Sequence, residues 1–182
     1  MSKAIGMVEY NTVSTGVAAA DLLVKTSDVE IIEAQTVCPG KYIVIITGEL
    51  SAVRASVDAS KTRFGTKLID SFVLGNPAED IFPAIYGTTV IDNPNALGVL
   101  ETFNAAAIIV AADAAAKTAD VKLIELRIAK GMCGKSYMML TGEVAAVTAA
   151  IEKAKKTSGD GGMFLDSTVI ANPDSKLWST IL

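Results

Sequence analysis

The feature that most limits what this chain can fold into is that it contains itself twice. "AIGMVEY" at 4–10 returns as "ALGVLET" at 96–102, and "AADLLVKTSDVEII" at 19–32 returns as "AADAAAKTADVKLI" at 111–124. "GKYIVIITGELSAV" at 40–53 returns as "GKSYMMLTGEVAAV" at 134–147, and "IDSFVLGNP" at 69–77 returns as "LDSTVIANP" at 165–173. Separated blocks that match in one order mark two homologous units, each a single supersecondary module. The Asn and Pro of "DNPN", 92–95, favour a turn between them. Domains are therefore expected at 1–91 and 96–182.

The offsets between the copies shift along the chain. The first two blocks are 92 residues apart, the third 94 and the fourth 96. The first added pair falls where "TVCPGK" of one copy faces "RIAKGMCGK" of the other, and the second near the polar, glycine-rich "SGDGGM".

Each repeat reads as the same string of elements. "AIGMVEY" is a short β run. "STGVAAADLLVKTS" is helical, with Val17, Ala20 and Val24 at i, i+3 and i+7. "VEIIEAQTV" and "KYIVIITGE" are β-branched runs that predict adjacent antiparallel strands joined by "CPG". "LSAVRASVDASKTRFG" is a helix with a glycine stop. "KLIDSFVLGNP" is a further strand, "EDIFPAIYG" a short terminal helix, and "SKLWSTIL" its shortened counterpart. The fold class is α/β, as an α+β sandwich: an antiparallel sheet with helices packed on it, twice over.

Composition sets limits on function. Apolar residues are 51% of the chain but aromatics only 5%, so the apolar content is Ala, Val, Ile and Leu. No run approaches the roughly 18–20 apolar residues of a membrane span. The excess points instead to a large core plus buried subunit interfaces. The net charge is −4, with a pI of about 4.9 and no block of Lys and Arg, which disfavours nucleic-acid binding. There is no histidine, which removes the usual general base and most zinc sites. "MSKAIGMVEY" does not read as a signal peptide, because its apolar stretch is short and carries Glu9. A cytoplasmic setting follows, in which thiols stay reduced and a Cys38–Cys133 disulfide is disfavoured.

Cys38 is the strongest candidate for chemistry. A free cysteine is by default a small buried hydrophobe. Here Pro39 fixes φ and Gly40 permits a tight reversal, which together would hold the thiol at a loop tip. A thiol nucleophile would lack a histidine to activate it. A metal would need further ligands, which a rotationally symmetric oligomer could supply by repeating Cys38 around its axis. Counting back from the shared Gly-Lys, Cys38 faces Met132 and Cys133 faces Pro39, so Cys133 reads as a small loop residue. "PGK" and "CGK" lack the rest of a phosphate loop and read as turns. Glu9, Glu49, Glu101 and Glu143 recur in both copies, which argues for capping or pairing rather than catalysis. Lys25 and Lys117 recur at the ends of their helices, where the dipole favours a cation.

These blocks resemble the bacterial microcompartment shell-protein domain. The resemblance rests on "AIGMVE" and "ALGVLE", the "AAD…KT" helices with "DVE" and "DVK", the "GK…TGE" strand exits, and "SFVLGNP" and "STVIANP". Two copies that each start at the first strand resemble the tandem, non-permuted, trimeric class, and within it a type from propanediol-utilisation-like compartments whose first-domain pore loop binds an iron–sulfur cluster. The resemblance implies a homotrimer of pseudo-hexameric outline that tiles a microcompartment shell with other shell proteins, in contact with lumen or cytosolic redox enzymes. It implies a pore lined by Val37, Cys38, Pro39 and Gly40, with Lys130, Gly131, Met132, Cys133 and Gly134 from the second domain. It implies one 4Fe-4S cluster per trimer, ligated by three copies of Cys38, for electron transfer across the shell. It makes Lys25 and Lys117 lateral-edge lysines. Asn76-Pro77 and Asn172-Pro173 fall where many relatives carry an arginine-containing edge motif. Two other readings stand beside this one: a cluster-free tile with a metabolite pore, and a small-molecule-binding regulatory sandwich. No membrane, nucleic-acid or enzymatic role is expected.

Overall fold

The computed structural model describes residues 4–182. Each repeat builds a four-stranded antiparallel sheet. In the first, β1 (Ala4–Tyr10), α1 (Val13–Thr26), β2 (Val29–Val37), β3 (Lys41–Gly48), α2 (Leu50–Phe64) and β4 (Leu68–Leu74) give the strand order β2-β3-β1-β4. After α3 (Ile81–Tyr86), the second repeats the plan with β5 (Ala96–Thr102), α4 (Ala105–Thr118), β6 (Val121–Arg127), β7 (Ser136–Gly142), α5 (Val144–Gly159) and β8 (Phe164–Ile170). Its order is β6-β7-β5-β8, and α6 (Ser175–Ile181) closes the chain. Register is kept between copies: Ala4 pairs with Gly48 and Ala96 with Gly142.

The central strand of each sheet explains the packing. Every residue of β1 is buried. Its Val8 and Tyr10 join Leu23, Val44, Ile46, Val53 and Val57 in the core between sheet and helices. Tyr10 sits edge-on to Phe64, ring centroids 6.0 Å apart, and its hydroxyl lies 2.7 Å from Ser60 Oγ, so this buried phenol is not left unpaired. Gly6, on the same face of β1 as Val8 and Tyr10, leaves the room in which α2 lies directly on the strand. A Cβ there would stand 2.6 Å from Val53 Cγ1 and 2.9 Å from Val57 Cγ2. Gly98 of β5 is the same device, with Ile151 Cγ1 and Leu140 Cδ1 each at 2.8 Å.

The expected glycine stop of α2 holds, and two details depart from the sequence reading. Helix α2 ends at Phe64 with Gly65 as its C-cap, in right-handed geometry, φ −56°, and the chain leads into a 3-10 turn over Gly65–Lys67. Glu49 and Glu143 occupy N-cap positions without a side-chain cap bond, and Glu143 instead accepts from Asn95 Nδ2 at 2.8 Å. The chain divides into compact units at Pro77–Ala78. Helix α3, placed by sequence with the first domain, packs on β6 and α4.

Gly6→Ala and Gly98→Ala should each cost about 1–3 kcal/mol, the usual range for forcing a methyl into a filled core. Gly65→Ala, whose new Cβ meets nothing within 4 Å, should be neutral to slightly stabilising. Urea unfolding of the three variants checks this.

Candidate functional site

The site is built on a hairpin. Strands β2 and β3 pair antiparallel down to Val37 opposite Lys41, and residues 38–40 make the reversal. The Gly40 N–H donates to the Val37 carbonyl at 3.0 Å. Gly40 takes φ +83°, the left-handed conformation that favours glycine. The Cys38–Pro39 peptide is cis. Val37 is buried and pins the base, Pro39 and Gly40 are exposed, and Cys38 between them is half-buried and free. A Cβ on Gly40 would meet nothing within 4 Å, so the tip is open.

An ion pair ties this hairpin to the central strand. Lys41 Nζ donates to Glu9 Oε1 at 3.0 Å, with the Glu9 side chain 1% exposed and that of Lys41 22%. The other carboxylate oxygen, Oε2, is buried without a hydrogen-bond partner. A buried charge with one cation beside it depends heavily on that cation. Glu9 was read as a structural carboxylate, and pairing is its role. Lys41 was overlooked, although a lysine follows the shared glycine in both copies.

The second repeat's loop is longer and differently made. Ile128 and Ala129 are buried, Lys130 and Gly131 are exposed, and Met132 is half-buried. Cys133 is exposed and free, at φ +53°, and Gly134 follows at φ +90°. The Ala129 N–H donates to Ser136 Oγ at 3.0 Å and the Lys135 N–H to the Met132 carbonyl at 3.1 Å. Below the loop, Arg127 Nε and Tyr137 Oη donate to opposite oxygens of Glu125, at 2.9 and 2.7 Å. Burial first, then the Glu125 hydrogen bond and charge, push the Tyr137 phenol up to about 12. Sequence reading missed this cluster, because the first repeat carries Ile43 and Gln35 at the matching places.

The two candidate edge lysines are each held by an aspartate one turn earlier, Lys25 by Asp21 and Lys117 by Asp113, both at 2.7 Å. Asp113 is buried and also accepts the Ala78 N–H at 2.8 Å. Among the described residues, no three His, Cys, Asp or Glu side chains form a group that could hold a metal ion. Cys38 therefore offers one thiolate per chain. No helix among them is long and apolar enough to cross a membrane.

The BMC domain model matches residues 4–77 and again 96–173. The bacterial microcompartment shell protein PduT of Citrobacter freundii is 35% identical over 178 residues, 98% of this chain and 97% of that protein. The crystal structure of a microcompartment protein from Desulfitobacterium hafniense DCB superposes with a TM-score of 0.92 at 42% identity, covering 98% of this chain and 99% of that one. A fused permuted hexameric shell protein of the RMM microcompartment, 21% identical with a TM-score of 0.65 over 87% of this chain and 84% of that one, shares the fold.

Lys41→Met should destabilise the chain by about 3–5 kcal/mol, the cost of stranding a buried charge, and adding Glu9→Gln should recover most of the loss. A double-mutant cycle by urea unfolding measures both. Spectrophotometric titration should show a tyrosine ionising at about 12. Glu125→Gln should bring that ionisation down, since a neutral neighbour no longer opposes the phenolate.

Proposed function

The chain belongs to the BMC-domain family of microcompartment shell proteins, as its tandem type, and from that premise we propose that three copies close into a ring whose axis carries an iron–sulfur cluster held by three Cys38 thiolates. The role is structural, a tile of the shell that assembles with other shell proteins. What supports the cluster is the position of Cys38. It is a free thiol at the open tip of a hairpin, and among the described residues no group of three His, Cys, Asp or Glu side chains gives it co-ligands. A closed rotational oligomer presents one residue from each copy at its axis, so a threefold ring supplies three thiolates without any further ligand residue. Thiolates are the ligands iron–sulfur clusters take, and three of them suit three irons of a 4Fe-4S cube.

The protein's own contribution is positional. Val37 anchors the hairpin in the core, the Gly40 to Val37 hydrogen bond closes the turn, and Lys41 is fastened to Glu9. A bound cluster would supply one-electron transfer, and redox enzymes on either face of the shell are the partners that chemistry serves. The second repeat's loop, with Lys130, Gly131, Met132, Cys133 and Gly134, lines the remainder of the pore and contributes no ligand.

Anaerobically purified protein should be brown and contain iron and acid-labile sulfide. Cys38→Ser should lose both, and Cys133→Ser should keep both. A Cys38→Ser protein with undiminished iron overturns the ligand assignment. A colourless wild-type trimer leaves a cluster-free tile with an open pore.

A further inference from the structure

Each repeat is followed by a short helix, and only one of the two has fully buried residues. Helices α3 and α6 follow the same Asn-Pro pair, Asn76-Pro77 and Asn172-Pro173, and align without a gap. Ile81 then matches Leu177, Phe82 matches Trp178, and Ile85 matches Ile181. Helix α3 lies on β6, an edge strand, and on α4, with Ile81 and Ala84 fully buried. Two polar contacts fix its approach: the Ala78 N–H to Asp113 Oδ1 at 2.8 Å, and Lys122 Nζ to Asp80 Oδ1 at 3.9 Å. Helix α6 carries the chain's single tryptophan, yet none of its residues is buried: Trp178 and Ile181 are half-buried, and Leu177 and the following Leu182 stand 37% and 57% exposed.

The first repeat has a matching uncovered seat. On α1 and the edge strand β2, Val13, Val17 and Ile31 are 41%, 52% and 41% exposed. Their counterparts in the second repeat, Ala105, Ile109 and Leu123, are each 0% exposed. The polar positions correspond as well. Asp21 stands where Asp113 does. Glu30 stands where Lys122 does, and Lys176 where Asp80 does, so the acid and the base have exchanged sides. An exchange at both positions keeps the attraction, which a change at one alone would turn into repulsion.

We infer that α6 of one copy seats on β2 and α1 of the next copy, as α3 seats on β6 and α4, with Leu177, Trp178 and Ile181 against Val13, Val17 and Ile31 and with Lys176 facing Glu30. The inference rests on the ring proposed above. Each repeat hands its terminal helix to the repeat that follows. After the second repeat, the repeat that follows is the first one of another copy. This is a head-to-tail contact, and such contacts close into rings when the rotation allows. The same geometry makes α6 the clasp of the trimer and leaves an isolated chain with one uncovered apolar seat and one uncovered helix.

Replacement of Trp178 by the photo-reactive p-benzoyl-phenylalanine in the full chain tests the seat. Irradiation should yield species of two and three chains on a denaturing gel, with cross-linked peptides mapping to residues 13–31. Lys176→Glu should raise the trimer dissociation constant about tenfold or more, and adding Glu30→Lys should restore it. Cross-links confined to single chains, or mapping elsewhere in a chain that still sediments as a trimer, overturn the inference and leave the ring standing. A full-length chain that sediments as a monomer overturns the ring itself.

Discussion

Two missing side chains set the architecture. Gly6 and Gly98, at the same place in the central strand of each sheet, let α2 and α5 lie against the backbone, and a methyl at either place would fall within 3 Å of filled core. Once the helix is that close, β1 is sealed along its whole length and the register of β3 beside it is fixed. The hairpin that leads into β3 is built on this frame. Glu9, near the far end of the same strand, then fastens the hairpin through Lys41. Cys38 follows directly on Val37, the last paired residue of β2, so it stands one residue from the sheet.

The two copies share this frame and spend their differences at its edges. Between β2 and β3 the reversal takes three residues, while between β6 and β7 eight intervene, with Ala129, Gly131, Cys133 and Gly134 all at positive φ. A duplicated frame can keep one loop short with a thiol at its tip and let the other become long and glycine-rich, which a single copy could not do. The same freedom lets the packing be rebalanced inside the core. Gly16 makes room for the Tyr42 ring in the first repeat, and the matching positions in the second hold Ile108 and Ser136. Large and small have changed places, as volume-conserving cores allow.

Much of this was readable in the letters. Duplication, strand and helix order and the hairpin at Cys38 follow from block matches, β-branched runs and a Pro-Gly pair. What was not readable depends on partners far apart in sequence. Lys41 reaches Glu9 only because β1 and β3 pair in a particular register. Tyr137, Arg127 and Glu125 become a cluster only once β6 and β7 are aligned. The packing of α3 on β6 was hidden for a related reason: a short apolar helix carries no mark of which sheet it covers.

In the proposed ring, one thiol per chain becomes a cluster site through threefold symmetry. Native mass spectrometry of anaerobic protein reads chain number and inorganic content in one species. The expected species is a three-chain particle carrying a single four-iron, four-sulfide cluster. A single-chain particle, or a three-chain particle free of iron after reconstitution with iron and sulfide, would contradict it.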